Sequence, residues 1–134
     1  MGRLDGRVAI VTGAAHGSRA AIGSVYAAAL ARDGAQITVA DVKDCGSVAA
    51  EIAAAGGTAE AVHVDVRDET SVAAMVTRTI ERFGRLDILV NNAGLGSNIP
   101  PVAITELTVK DWDDLMAVNV RGPFLCTKAA VPAM

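Results

Sequence analysis

At 134 residues with a formal net charge of −3, the chain has the length of one domain, and its slightly acidic balance argues against nucleic acid or an anionic membrane as the main partner. Hydrophobic residues make up 51% of it but only one Trp, one Tyr and two Phe are present, so a core must come from Ala, Val, Ile and Leu, as suits helices packed closely on a parallel sheet. No apolar run reaches membrane-span length, MGRLDGR does not read as a signal peptide, and Gly6 stands where a myristoylation signal needs Ser or Thr.

Val8 to Thr12 is an apolar, β-branched run suited to a strand buried on both faces. Gly13 ends it, and small residues with Gly17 and Gly23 lead into an alanine-rich helix from Ser18 or Ile22 to Arg32. Ile22, Val25, Ala29 and Leu30 share one face of that helix at helical spacing, and Gly34 follows its end. Gln36 to Ala40 reads as a second strand closing on Asp41, and a helix over about Ser47 to Ala55 stops at Gly56-Gly57. Cys45 lies just before it; with Cys126 it makes a distant pair without a CxxC partner, read as reduced thiols of a cytoplasmic protein, with no metal site expected.

Ala59 to Val64 forms a third strand ending in Asp65-Val66, with His63 expected as a packed core residue. Asp68 caps a helix whose inner face carries Val72, Met75, Val76, Ile80 and Phe83 before Gly84. Leu86 to Val90 is a fourth buried strand, running into Asn91-Asn92-Ala93-Gly94. A last helix opens at Thr108, paired with Asp111 three residues on. Strands and helices alternate four times, which predicts an α/β, Rossmann-like, doubly wound parallel sheet of order 3-2-1-4, one domain over residues 1–134.

A strand that turns on glycine into a helix concentrates free backbone N–H groups and the positive end of a helix dipole, which suits a phosphate. A tight turn with no ligand is the alternative. Asp41 lies 28 residues after Gly13, where a dinucleotide fold places a carboxylate beside the adenosine ribose. Its charge accepts from both ribose hydroxyls and repels a 2′-phosphate, favouring NAD over NADP; a solvated turn residue is the other reading. Asp65 lines the same edge, in reach of an adenine amino group. Asn119 shares a helix face with Trp112, Leu115 and Met116, so a buried amide is expected there, needing partners or marking a kink before Gly122-Pro123.

Thr12-Gly13-Ala14-Ala15-His16-Gly17, Asp41, Asp65-Val66, the run Asn91 to Gly94 and Asn119-Val120 occur in the order found in the short-chain dehydrogenase/reductase family, which the chain resembles from end to end. The resemblance implies that the glycine loop, with Thr12, Gly13, Ala15, His16, Gly17, Ile22 and Gly23, holds a pyrophosphate. It assigns Asp41 to the ribose, Asp65 and Val66 to adenine, and Asn91, Ala93 and Gly94 to the loop beside the nicotinamide ribose. Asn119 would kink its helix and anchor a water in a proton relay.

The family's catalytic Ser, Tyr and Lys lie beyond the fourth strand, and none is present: the one tyrosine, Tyr26, has Leu30 four residues on. The chain therefore reads as the cofactor-binding half of an NAD-dependent alcohol or ketone oxidoreductase, inactive by itself and prone to form homo-oligomers. A non-catalytic binding or assembly module and an S-adenosylmethionine-dependent methyltransferase are the alternatives. The chain also departs from the family pattern at Ser18 to Ala21, an insertion of about one helical turn that is expected to weaken pyrophosphate binding.

Overall fold

The computed structural model of the chain describes residues 2–17, 22–96, 99 and 101–134. Strands β1 (Val8–Thr12), β2 (Gln36–Asp41), β3 (Thr58–His63) and β4 (Ile88–Val90) form one parallel sheet, ordered β3-β2-β1-β4 as the alternation predicts. Between them run helices α1 (Ile22–Arg32), α2 (Gly46–Ala54) and α3 (Glu69–Phe83). After β4 come α4 (Val109–Met116), a π-helical turn over Ala117–Arg121, α5 (Gly122–Ala130) and a short 3-10 turn. Among the described residues no helix is long and apolar enough to cross a membrane.

Both faces of the sheet are covered, and β1 is buried along its whole length. Ala9 and Val11 join Ile37, Val39, Ala27, Val48 and Ile52 on the side of α1 and α2. Ile10 points the other way, among Val64, Val72, Met75, Leu125 and Cys126 beside α3 and α5. Asp68 accepts from the N–H groups of Thr70 and Ser71 at the start of α3, and Gly84 closes that helix at φ 80°. Thr108 caps α4, accepting from Asp111 N–H at 3.0 Å and donating its hydroxyl to the Asp111 carboxylate at 2.7 Å.

Several expectations fail for identifiable reasons. In α1 the fully buried face is made by Gly23, Ser24 and Ala27, while Ile22 and Val25 are exposed and Leu30 packs partly buried on the core: at Gly23 the helix lies too close to the Gly13 carbonyl for a side chain. In α3 the buried set is Val72, Met75, Val76 and Thr79; Ile80 is only partly buried, and the Arg82 guanidinium lies 5.4 Å over the half-buried Phe83 ring. Thr79 is tolerated inside because its hydroxyl donates to the Met75 carbonyl and pairs with Thr38 Oγ1 at 2.9 Å. His63 is exposed, because β3 is an outer strand and His63 ends it. Leu86 is buried but precedes β4, whose three residues are half-buried at the other edge of the sheet. Trp112 is 52% exposed, so α4 does not carry the buried face expected of it.

Candidate functional site

The chain beyond the carboxyl end of every strand contributes to one cleft of about 460 Å³. After β1 come Gly13, Ala15, His16 and Gly17, with Ile22 opening α1; after β3 and β4 come Val64 to Arg67 and Asn92 to Leu95. Asp41 ends β2 and is followed by Val42 and Lys43, while Val118 reaches the cleft from the π turn. A crevice at this edge of an open α/β sheet is where such folds take ligands.

The β1 and β4 loops are stitched together by polar side chains. Buried Thr12 accepts at its hydroxyl from the N–H groups of Asn92 (3.2 Å) and Ala93 (3.1 Å) and donates to the Val90 carbonyl at 3.3 Å. Asn92 Nδ2 donates to the Gly13 carbonyl at 3.0 Å. Gly13 has φ 65°, and a Cβ there would stand 2.7 Å from the Ala93 Cα, so this close approach needs glycine. Gly23 lies under the same carbonyl, 2.3 Å from where its own Cβ would be. Thr12 and Gly23 are therefore framework beneath the cleft and do not line it.

Asp41 is held rigidly. One carboxylate oxygen accepts from Ala15 N–H at 3.1 Å and the other from Lys43 N–H at 3.0 Å, joining the glycine loop to the end of β2. Asp65 is engaged differently: the Arg67 guanidinium grips its carboxylate, with Nε 2.9 Å from one oxygen and Nη2 2.7 Å from the other. That hydrogen-bonded cation holds the Asp65 carboxyl below the usual carboxylate range. Exposed His16 meets Glu51 of α2 through Nε2 at 2.9 Å.

Asn119 stands in the π turn and is exposed, not buried as expected. Its amide nevertheless finds both partners on one residue: Nδ2 donates to the Leu95 carbonyl at 2.8 Å and Oδ1 accepts from Leu95 N–H at 2.7 Å. Close contact at Gly122, where a Cβ would fall 2.8 Å from Val66 Cγ2, brings the following helix against the loop after β3. Asn91 turns away from the cleft and donates to Thr127 Oγ1 at 3.3 Å. Of the remaining expected positions, Ala15, His16, Gly17, Ile22, Val66, Ala93 and Gly94 all line the cleft. The expected insertion at Ser18 to Ala21 lies outside the described residues.

Sequence reading missed Val42, Lys43, Val64, Arg67 and Val118. The Asp-x-Arg spacing of Asp65 and Arg67 is a signal for a chelated carboxylate; the others are placed by tertiary packing alone. Cys45 and Cys126 are buried and free, and burial pushes their thiols up to about 12 and about 11, so neither is a nucleophile at neutral pH.

A family model for short chain dehydrogenase matches residues 7–134. The chain is 42% identical over 129 residues to D-threitol dehydrogenase of Mycolicibacterium smegmatis, covering 95% of this chain and 47% of that protein. The structure of a short chain dehydrogenase from Mycobacterium smegmatis superposes with a TM-score of 0.90 at 35% identity, covering 99% of this chain and 54% of that one. A metagenomic short-chain oxidoreductase in complex with NADP gives 0.87 at 38% identity, with 98% and 57% covered. The chain spans about half the length of the curated relatives it matches. Nothing among these matches supports the methyltransferase alternative. Sequence match, strand order and the loops gathered at the strand ends agree, and the chain belongs to the short-chain dehydrogenase family, oxidoreductases that bind a nicotinamide dinucleotide.

Proposed function

We propose that residues 1–134 form the dinucleotide-binding portion of an oxidoreductase that moves a hydride between NAD(H) and a small alcohol or ketone. The observation that carries this reading is the single cleft joining the glycine loop to Asp41 and to the loops after β3 and β4. The donor set fits the cofactor. Asp41 supplies a fixed carboxylate for ribose hydroxyls, and among the described residues nothing would lie within 4 Å of a Cβ at Gly17, which supports a backbone open to a phosphate. Val64, Val66 and Val118 give an apolar wall. The bound nicotinamide supplies the hydride acceptor or donor. Asn119, through its two bonds to Leu95, orders the loop that flanks that end of the cleft.

NAD is preferred to NADP on this reading because a 2′-phosphate would meet the Asp41 charge. A solved relative is in complex with NADP, so the fold does not exclude that dinucleotide and the proposed preference rests on this side chain alone. Calorimetric titration of NAD, NADP and AMP checks it. NAD should bind at least about tenfold more tightly than NADP, a difference of about 1.4 kcal/mol, and Asp41→Asn should narrow the gap. Absence of both NAD and AMP binding by the folded chain would overturn the reading.

The chain contains no Tyr-x-x-x-Lys, and its one tyrosine lies on α1 with Leu30 four positions on. The tyrosine–lysine pair with which the family protonates a carbonyl is therefore absent from these 134 residues. Under single-turnover conditions with alcohols or ketones, hydride transfer by the 134-residue chain should not exceed a buffer blank.

A further inference from the structure

The glycine loop is tied step by step to the end of β2 and to α2. Ala14 N–H donates to the Ala40 carbonyl at 3.2 Å and Ala15 N–H to the Asp41 carboxylate at 3.1 Å. His16 then meets Glu51 of α2 through Nε2 at 2.9 Å. Two of the loop's amide donors are therefore spent inside the fold, and an anion drawn to this loop has fewer of them to meet. Between those amides and Gly17 stands His16, which lines the cleft.

The contact with Glu51 fixes the state of the ring. A carboxylate only accepts, so Nε2 carries the proton, and in the neutral ring Nδ1 is left as an acceptor. A phosphate oxygen also only accepts and gains nothing from a neutral imidazole. The neutral ring moreover leaves the His16–Glu51 pair with a net negative charge at the cleft rim. The imidazolium carries a proton on each nitrogen and cancels that charge.

Among the described residues, the other charged groups around the loop are Asp41 and Lys43 at the end of β2, Asp44 before α2, and the Asp65–Arg67 pair after β3. Side chains of these kinds ordinarily keep their charge between about pH 5.5 and about pH 8, the range in which histidine changes its own. Burial pushes the Cys45 and Cys126 thiols up to about 12 and about 11, so they stay neutral there. His63, the one other histidine, ends β3 outside the described lining of the cleft.

We infer that His16 gives the glycine loop a pH-dependent hold on a pyrophosphate: its imidazolium form strengthens dinucleotide binding, and its neutral form beside the Glu51 carboxylate weakens it. This rests on the reading of the cleft as a dinucleotide site. Affinity for NAD therefore falls as pH rises through the titration of His16.

Calorimetric titration of NAD at about pH 5.5 and about pH 8 into the wild type, His16→Gln, His16→Lys and His63→Gln tests it, with circular dichroism confirming each fold at both values. NAD suits the test because its pyrophosphate diester stays ionised over the whole range. The wild type should bind NAD at least about threefold more tightly at the lower pH, the effect of one unit charge about 6 Å from another in water. His16→Gln should bind weakly and equally at both values. His16→Lys, which keeps its charge, should bind tightly at both, and His63→Gln should retain the wild-type dependence. Equal wild-type affinity at the two values would overturn the inference, as would a dependence that survives in His16→Gln. So would His16→Lys binding no more tightly than His16→Gln at about pH 8. Each of these outcomes, with NAD still bound, leaves the dinucleotide reading standing. Absence of NAD binding by the folded wild type overturns the inference at once, and absence of AMP binding as well overturns the dinucleotide reading with it.

Discussion

Asp87 shows how one side chain can join distant parts of the chain. Its carboxylate receives Arg85 through two contacts of 2.9 and 2.6 Å, Arg7 at 2.8 Å and the Val8 N–H at 3.0 Å. These groups lie at the amino ends of β1 and β4, the opposite edge from the cleft. Arg85 first, then Arg7 and the Val8 amide, hold the Asp87 carboxyl far below the usual carboxylate range. The folded state therefore favours the ionised form, and the stabilisation is fully present above the unfolded carboxyl's pKa of about 4 and lost as pH falls through the lower folded value. Asp87→Asn should cost about 1–2 kcal/mol at pH 7, allowing for solvent screening of the exposed arginines. Urea unfolding at pH 7 and pH 3 measures it: the gap between wild type and variant should narrow at the lower pH.

At the level of elements, α1 is placed by the absence of side chains. Gly23 packs onto the Gly13 carbonyl, and a Cβ there would also come within 2.6 Å of Asn92 Nδ2, the donor that joins the two loops. Neither contact can yield without moving a backbone or breaking that bond. Gly23→Ala should therefore destabilise by about 1–3 kcal/mol despite the gain in helix propensity. Gly17→Ala provides the contrast, since its Cβ meets no described residue within 4 Å. Its stability should stay within about 0.5 kcal/mol of wild type, and any loss of NAD affinity then reports on the ligand. Urea denaturation of both variants separates the two roles. The π turn acts in a similar positional way, setting Asn119 opposite Leu95 before α5 continues.

Across the whole molecule, apolar surface is left uncovered. β4 forms one edge of the sheet, and Val120 and Phe124 on the α4–α5 segment and Val131 in the 3-10 turn after it are each more than half exposed. Open strand edges pair readily, and contiguous exposed apolar groups favour association. The chain should therefore self-associate at concentrations of about tens of micromolar, with light scattering giving a mass above 13.7 kDa. A clean monomer without binding of an apolar-surface dye would contradict this.

The sequence by itself determined the strand order, because long apolar runs alternate with helical periods and right-handed crossovers leave few arrangements. It also determined which loops meet, since glycine and acidic residues placed just after strands must gather at one edge of a parallel sheet. Tertiary structure alone decided which sides the helices turn inward. Helical spacing marks Ile22, Val25, Ala29 and Leu30 as a face, yet close approach to the Gly13 carbonyl puts Gly23, Ser24 and Ala27 inside, leaves Ile22 and Val25 exposed and buries Leu30 only in part. It also decided how polar groups are satisfied. Asn119 was legible as an amide needing partners, but only the path of the β4 loop assigns them to Leu95. Asp65 and Arg67 are two residues apart in the chain, yet only folding puts their ion pair in the wall of the cleft, because pairing depends on side-chain direction and a periodic pattern carries no such information.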